Sequence, residues 1–235
     1  MTTTHLFKRM LQASPEERER QKKALDRHLS EGKRLRRSNE TWYRLVTNTN
    51  LERADLEKRT LGQVEVTDKN KEAYNLVNAW TPDKSWGVML WGNVGTGKTH
   101  LLKGLMIKWA INEAHILGRF YSLTDLMEEF KSNFDDMQMF KWRLSQVEIL
   151  VIDDFGAEKT SEFVQSHLLS FIDMRINKGK SIFVTSNYSP EDLKKRYDAR
   201  ILDRLQELMN FCEVKGDSYR RKIFVANRND AIDSM

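Results

Sequence analysis

The sequence predicts an α/β fold in which a parallel five-stranded sheet lies between helices. From about residue 68, short apolar runs alternate with longer segments whose apolar residues recur at helical spacing. The runs within 148–153 and 181–186 are apolar at consecutive positions, which is typical of strands buried on both faces of a parallel sheet. A glycine-rich segment, Gly92–Thr99, separates the first apolar run from the next predicted helix. Together these observations favour a sheet covered by helices on both sides.

Strands and helices are predicted to alternate along the chain. The five strands are expected at Trp86–Trp91, Arg119–Leu123, Glu148–Asp153, Ser181–Ser186 and Phe211–Val214. The helices are expected at Asp68–Trp80, His100–His115, Thr124–Phe134, Ser161–Asn177 and Asp192–Met209. In the first helix Ala73, Leu76, Val77 and Trp80 lie on one face, which is the apolar stripe that a sheet-covering helix needs.

The first sixty residues have a different character. They contain 15 Lys and Arg against 9 Asp and Glu, whereas the rest of the chain is close to neutral. Residues 9–45 are predicted to be largely helical, with Ser14 as an N-cap and Pro15 at the first helical position, and residues 46–66 are predicted to be a linker. The predicted division is a basic helical arm and linker at 1–60 and a main domain at 61–235. Such an arm either binds an acidic partner or nucleic acid, or forms a solvated helical face.

Composition narrows the class of protein. The 235 residues are 40% hydrophobic and 31% charged, and no apolar run approaches the ~18 residues of a membrane span. The N-terminus lacks the apolar region of a signal peptide, so we expect a cytoplasmic protein that does not contact a membrane. The single cysteine, Cys212, excludes an internal disulfide, and the five histidines show no metal-ligand spacing.

Residues Gly92–Thr99 match the phosphate-binding pattern G-x-x-x-x-G-K-[ST]. Its glycines let successive backbone N–H groups point at phosphate oxygens, and the following helix directs its N-terminus at the anion. Lys98 is expected to contact the β- and γ-phosphates, and the Thr99 hydroxyl to bind Mg²⁺. The loop by itself is compatible with ATP or GTP. The predicted nucleotide-binding residues are Gly92, Asn93, Val94, Gly95, Thr96, Gly97, Lys98, Thr99 and His100.

Polar residues follow two buried strands at the edge of the sheet where α/β proteins bind ligands. Asp153 is expected to hold Mg²⁺ through water, and Asp154 to polarise the attacking water; alternatively, the two acids simply end a strand. Asn187 follows the next strand and is expected to reach the γ-phosphate or to orient the water. An Asx turn before Pro190 is the alternative.

Arg200 and Arg204 lie four residues apart on one helix face. An arginine presented to the γ-phosphate of a neighbouring subunit would stabilise charge in the transition state. The alternative is a surface of salt bridges, because Asp198, Asp203 and Glu207 lie nearby in the sequence.

These motifs resemble those of AAA+ ATPases, and among them the DnaC/DnaI-type replicative helicase loaders and the IstB-type transposition helpers. The resemblance covers roughly residues 60–222 and rests on the phosphate loop, IDDFGAEKTSEF at 152–163, TSN at 185–187, RILDRL at 200–205 and GDSYR at 216–220. It implies ATP with Mg²⁺ as ligands and an AAA+ domain with a reduced lid. It also implies that Asn187 is the sensor-1 residue, Arg220 the sensor-2 residue and Arg204 the arginine finger, with Arg200 second. Asp154 stands where most AAA+ enzymes have Glu, so slow hydrolysis is expected.

The loader resemblance implies three partners. The basic arm would bind a hexameric replicative helicase, the AAA+ domain would bind single-stranded DNA, and the subunits would assemble into a spiral or ring. For DNA the resemblance points to Phe134, Ser161 and Phe163. Independently of it, three basic residues either add phosphate contacts or are simply solvated charges: Lys131, Lys141 and Arg143. Core packing is the alternative for the two phenylalanines.

Two other functions remain open at this stage. A transposition helper would bind duplex DNA and a transposase. A small-molecule P-loop kinase would need a substrate-covering lid, for which the sequence gives no signal.

Overall fold

The computed structural model describes residues 45–113, 116–132, 136–158 and 160–219. The predicted arm up to residue 44 lies outside these ranges. So do Phe134, Arg220 and the rest of the chain after residue 219, on which the prediction of a reduced lid falls.

The sheet has five parallel strands in the order β2-β3-β4-β1-β5. They are β1 at Gly87–Trp91, β2 at Gly118–Ser122, β3 at Ile149–Asp153, β4 at Ser181–Ser186 and β5 at Met209–Glu213. The chain leaves the ends of β1 and β4 toward opposite edges of the sheet. The two strands are neighbours, with Trp91 opposite Ser186, so a crevice is expected between their carboxyl ends.

Eight helices that lie wholly within the described ranges surround this sheet, and residues 45–49 are helical as well. They are α1 at Arg53–Lys58, α2 at Lys71–Ala79, α3 at Lys98–Asn112, α4 at Leu123–Ser132, α5 at Met137–Gln146, α6 at Glu162–Asn177, α7 at Pro190–Lys194 and α8 at Ala199–Leu208. A 3-10 turn lies at Leu61–Gln63. Among the residues described, no helix has both the length and the apolar character needed to cross a membrane.

The core has two parts, one on each face of the sheet. Alternate residues of a strand point to opposite faces, so Val88 and Leu90 join one cluster while Met89 joins the other. The first cluster contains the buried sides of α2 and α3, and the second those of α4, α6 and α8. The fully buried strands therefore have apolar contacts on both faces, as their sequence predicted.

The prediction of a linker at 46–66 is wrong. Residues 45–64, here called the strap, contain α1 and the 3-10 turn, and Leu51, Leu56 and Leu61 are buried in the first core cluster. The Asn50 side chain donates to Phe120 O at 2.8 Å and accepts from Phe120 N at 2.7 Å. The strap thus closes the outer edge of β2.

Two helices also differ from the prediction. α5 was not expected, because its sequence mixes aromatic, charged and apolar residues without a clear stripe. The single helix expected at 192–209 is two helices, α7 and α8. Asp198 is extended at the break, with ψ of 136°, and its side chain accepts from Arg200 N as the N-cap of α8.

Candidate nucleotide-binding site

The phosphate loop connects β1 to α3 and depends on glycine for close backbone contacts. Gly92 has a φ of 133° and Gly95 a φ of 82°, in the region that favours glycine. A Cβ on Gly92 would lie 2.6 Å from Val214 O, and one on Gly95 would lie 2.2 Å from Ser218 Oγ. Tyr219 N also donates to Gly95 O at 2.9 Å. The segment after β5 therefore packs directly against the loop.

Lys98 lies at the centre of this loop and is only 5% exposed. Its Nζ donates to Gly92 O at 2.8 Å, to Asn93 O at 2.7 Å and to Asn187 Oδ1 at 3.0 Å. Lys98 is also the first residue of α3, so the ammonium group and the N-terminus of that helix lie together. This arrangement places positive charge and backbone donors where a phosphate group would bind.

Asp153 ends β3 beside the loop and accepts two hydroxyl hydrogen bonds on one oxygen. Thr99 Oγ1 donates to Asp153 Oδ1 at 2.9 Å, and Thr185 Oγ1 donates to the same atom. Burial raises the pKa of the Asp153 carboxyl, the two hydroxyl hydrogen bonds oppose this rise, and the charge of Asp154 adds to it. A hydroxyl and a carboxylate next to a phosphate loop are the hard oxygen ligands that Mg²⁺ prefers, so these residues fit the metal.

Asn187 lies between Lys98 and Asp154. Its Nδ2 donates to Asp154 Oδ1 at 3.3 Å while its Oδ1 accepts from Lys98. Asp154 is exposed and has a φ of 54°; its backbone N–H donates to Thr185 Oγ1 at 3.0 Å. The turn before Pro190 is closed by other side chains, since Tyr188 N donates to Ser186 Oγ at 3.0 Å. The Asx-turn alternative for Asn187 therefore does not apply.

The remaining residues of the loop have distinct environments. Thr96 is buried and its Oγ1 donates to Asn93 O at 3.0 Å, while Val94 is 59% exposed. His100 points to the strap, where its Nε2 lies 3.1 Å from Thr60 O. Burial lowers the pKa of the His100 imidazole, the contact with Thr60 opposes this change, and the charge of Arg59 adds to it. His100 thus connects the start of α3 to the strap.

Arg200 and Arg204 both lie on the exposed side of α8. Arg200 Nη2 lies 2.8 Å from Asp198 Oδ2. Arg204 Nε lies 3.0 Å from Asp173 Oδ1, and Arg204 Nη1 lies 2.8 Å from Glu207 Oε2. The structure therefore places both arginines in the surface salt bridges that were the alternative prediction. Within the described ranges, neither of them contacts the phosphate loop of its own chain.

A family profile described as "IstB-like ATP binding protein" matches residues 7–226, which is nearly the whole chain. The chain belongs to this family. ATP binding is thus the property by which this family is described.

Several curated proteins that are similar to this chain have names that refer to DNA replication. The replicative helicase loader DnaC of Buchnera aphidicola is 30% identical over 139 residues, which make up 56% of this chain and 55% of that protein. DnaC of Escherichia coli K12 is 26% identical over 138 residues, with the same two shares. The chromosomal replication initiator DnaA of Zymomonas mobilis is 28% identical over 120 residues, half of this chain and 25% of that protein. The chain therefore spans a quarter to little more than half of these relatives.

Solved structures share the fold. The crystal structure of the DnaC helicase loader has a TM-score of 0.61 and 22% identity and covers 76% of this chain and 100% of that chain. DnaI gives a TM-score of 0.62 and 22% identity, with shares of 74% and 98%. AMPPCP-bound DnaA from Aquifex aeolicus gives 0.62 and 22%, with shares of 74% and 55%. The chain therefore shares the fold of these DnaC, DnaI and DnaA structures, which confirms the α/β fold class that the sequence predicted.

Two of the residues predicted to contact DNA, Ser161 and Phe163, lie at the start of α6. Ser161 is exposed and caps α6, since its Oγ accepts from Val164 N at 3.3 Å. Phe163 is half-buried, and its ring centroid lies 4.1 Å from that of His167. Lys141 is buried, so neither of its two alternatives, a phosphate contact or a solvated charge, fits this structure. Phe134 lies outside the described residues.

Sequence reasoning missed Thr185, whose hydroxyl donates to Asp153 and accepts from the backbone of Asp154. The available signal was a threonine near the end of a buried strand, immediately before Ser186 and Asn187. It also missed the strap contact of His100, for which no local pattern exists.

Proposed function

We propose that this protein is an ATP-driven loader that delivers a replicative helicase to single-stranded DNA. The observation that carries the proposal is the hydrogen-bonded series Lys98–Asn187–Asp154 beside Asp153. It joins a phosphate-binding ammonium group to a carboxylate on the same edge of the sheet, as hydrolysis of a triphosphate requires. The similarity to DnaC over 139 residues supports replication as the process that this ATPase serves.

Each residue of the series has a separate task in hydrolysis. Lys98 exchanges its contacts with Gly92 O and Asn93 O for phosphate oxygens, because an anion is the stronger acceptor. Asp154 orients and polarises the attacking water, and Asn187 fixes the positions of Lys98 and Asp154 relative to each other. Thr99 and Asp153 would hold Mg²⁺, which supplies charge neutralisation on the phosphates when bound.

The arginine that completes this site comes from a neighbouring subunit. Arg204 is about half-exposed, and so are its partners Asp173 and Glu207. Exposed ion pairs of this kind contribute only ~0–1 kcal/mol each, so exchanging them for a γ-phosphate costs little. A subunit that supplies Arg204 to one neighbour and receives an arginine from the other makes head-to-tail contacts, which assemble into a spiral or ring.

DNA and helicase bind at other surfaces. The exposed N-terminus of α6 at Ser161 offers backbone donors to a phosphate, and the neighbouring Phe163 offers a ring on which a base can stack. Phe134 would add a second ring. The basic arm that precedes the strap would bind the helicase through its charge and helical surface.

A transposition helper is the second candidate, and the IstB-like family profile is the observation that favours it. The two functions differ in the protein partner and in the form of DNA. A loader binds a hexameric helicase and prefers single strands, whereas a helper binds a transposase and duplex DNA.

The deciding experiment uses the purified full chain with ATP. It is mixed with a purified replicative helicase or an IS21-type transposase, and complexes are separated by size-exclusion chromatography. The loader proposal expects co-elution with helicase and ATP turnover stimulated by single-stranded DNA. Co-elution with transposase alone would replace it with the helper function. The Lys98→Ala variant is the matched control for dependence on nucleotide.

A further inference from the structure

The loop after the acid pair is fastened to the segment from which α8 starts. Glu158 accepts a hydrogen bond on Oε1 from the Tyr197 hydroxyl, and on Oε2 from Gly156 N at 3.3 Å. Its backbone carbonyl accepts from Arg196 Nη2 at 3.3 Å. Glu158 thus binds both Arg196 and Tyr197, the two residues that directly precede Asp198, the N-cap of α8.

Aromatic packing reinforces this attachment. The Tyr197 ring lies against Phe155, with centroids 4.8 Å apart and planes at 32°, and both side chains are buried. Phe155 directly follows Asp154, and its backbone N–H donates to Thr185 O at 2.8 Å. Tyr197 is therefore fixed by a ring on one side and a carboxylate on the other.

The same series of contacts continues into α8. Asp198 N donates to Gln165 Oε1 at 2.7 Å, and Asp198 Oδ1 caps the helix by accepting from Arg200 N at 2.9 Å. Arg204 lies one turn further along α8. Contacts between packed or hydrogen-bonded neighbours thus run from Asp154 to the helix that carries the candidate arginine finger.

We propose that Glu158 and Tyr197 are positioning residues that hold α8 in a fixed relation to the acid pair. The position of the arginine that a subunit presents to its neighbour then depends on this junction between the loop after the acid pair and α8. This inference rests on the proposed function, in which an arginine of α8 acts in trans. Neither residue touches the reacting atoms; both act through Phe155 and the N-cap at Asp198.

The test separates the two roles of a subunit by mixing variants. A Lys98→Ala subunit lacks the nucleotide lysine but retains α8, and an Arg204→Ala subunit retains the nucleotide site but lacks the finger. Mixed in equal amounts with ATP and single-stranded DNA, the pair is expected to recover turnover. In this pair the Lys98→Ala subunit supplies the arginine and is called the donor subunit, or donor. The Tyr197→Phe substitution, which removes only the hydroxyl and retains the ring on Phe155, is then introduced into the donor.

The control donor carries Tyr188→Phe in the same background. The Tyr188 ring lies 4.7 Å from the Arg196 guanidinium, so it borders the same junction. Within the part of the chain that the structure describes, however, its hydroxyl makes no hydrogen bond. A Glu158→Gln donor provides a second variant that removes the carboxylate charge with little change in shape.

We expect the Tyr197→Phe donor to restore about tenfold less turnover than the Tyr188→Phe donor, because displacing a catalytic group by ~1 Å costs up to ~10²-fold. The ATP affinity of the Arg204→Ala partner should stay unchanged, since its own site is intact. Equal recovery with the Tyr197→Phe and Tyr188→Phe donors would overturn the positioning role. The pair of Lys98→Ala and Arg204→Ala without further substitutions tests the proposed function itself. If this pair shows no ATP turnover, Arg204 does not act in trans, and both that part of the proposed function and this inference are wrong.

Discussion

The Asn187 side-chain oxygen lies 3.0 Å from Lys98 Nζ, which joins the end of β4 to the phosphate loop after β1. The sheet order explains this contact. β4 and β1 are parallel neighbours with Trp91 opposite Ser186, so the residues that follow each strand emerge side by side. A residue 89 positions away in the sequence is thereby brought to the lysine.

The first prediction concerns Asn187→Ala. Without the amide, Lys98 and Asp154 lose their common partner, but the phosphate loop and its ammonium group remain. We expect kcat for ATP hydrolysis to fall about 10²-fold, as on removal of one preorganised donor, while ATP affinity changes little. Binding of a fluorescent ATP analogue and phosphate release measure the two effects separately.

Two control variants give the expected upper and lower limits of ATP binding and hydrolysis. Lys98→Ala is expected to abolish nucleotide binding or hydrolysis, and Asn210→Ala, at an exposed position of β5, is expected to change neither. An Asn187→Ala variant that loses affinity and turnover equally would show that Asn187 contributes to the ground state, not to the chemical step.

The second prediction concerns Arg204→Ala. The arginine lies away from its own phosphate loop, so ATP affinity should be unchanged. Turnover at concentrations that favour the oligomer should fall by about 10²-fold or more, following the effect of arginine fingers. Arg200→Ala is the matched comparison, since Arg200 lies one turn away and pairs with Asp198. Normal turnover of Arg204→Ala with strong loss in Arg200→Ala would transfer the role to Arg200.

Short-range patterns account for what the sequence predicted correctly. The phosphate loop and the acid pair each lie within eight consecutive residues, and the buried strands are continuous apolar runs. The strap was missed because Leu51, Leu56 and Leu61 recur every five residues, a spacing that matches neither a helix nor a strand. The pairing of Asn50 with Phe120 joins residues 70 positions apart, and only tertiary structure brings them together.

The third prediction concerns the closure of the β2 edge by Asn50. This residue has a φ of 47°, so Asn50→Gly retains the backbone conformation and removes only the two hydrogen bonds to Phe120. We expect the free energy of unfolding to fall by about 1–2 kcal/mol, and the uncovered edge to promote aggregation. Asn50→Asp, which retains only the acceptor, should be intermediate. Denaturant unfolding and light scattering would measure both effects, and a fully stable, monodisperse glycine variant would contradict this role.

The fourth prediction concerns Arg175, whose side chain is fully buried. Nη1 donates to Leu144 O at 2.7 Å, and Nη2 donates to Ser181 O and, at 3.5 Å, to Glu148 O. Burial lowers the pKa of the guanidinium, and the charge of Glu148 opposes that change. The side chain thus ties the end of α5 to the starts of β3 and β4.

Arg175→Met retains much of the volume but leaves these carbonyl groups without a donor. Each buried unpaired group costs about 1–3 kcal/mol, so we expect a loss of about 3 kcal/mol and a fall in Tm of roughly 6–12 °C. Arg53→Met serves as the control, because Arg53 is exposed and its ion pair with Glu57 lies at the surface. Equal melting temperatures for the two variants would contradict a structural role for Arg175.

The last prediction concerns the reactivity of Cys212 in β5. Burial raises the pKa of its thiol to about 11, and the charges of Glu72 and Glu213 add to the rise. In the unfolded chain the thiol titrates near ~8.5, so the folded protein retains a proton that the unfolded chain releases. The stability contributed by this site is therefore present below about pH 8.5 and decreases as pH rises toward 11, by up to about 1.4 kcal/mol per pH unit.

At pH 8 about a quarter of unfolded thiols are ionised, against about one in a thousand in the folded protein. We therefore expect iodoacetamide to label native Cys212 at least ~10²-fold more slowly than the guanidinium-unfolded chain, with a rate that rises about tenfold per pH unit up to pH 10. Cys212→Ala should remove both the labelling and the steeper loss of stability at alkaline pH. Equally fast labelling of the folded and unfolded protein would contradict this prediction. It would mean that β5 separates readily from the sheet, together with the segment after β5 that packs against the phosphate loop.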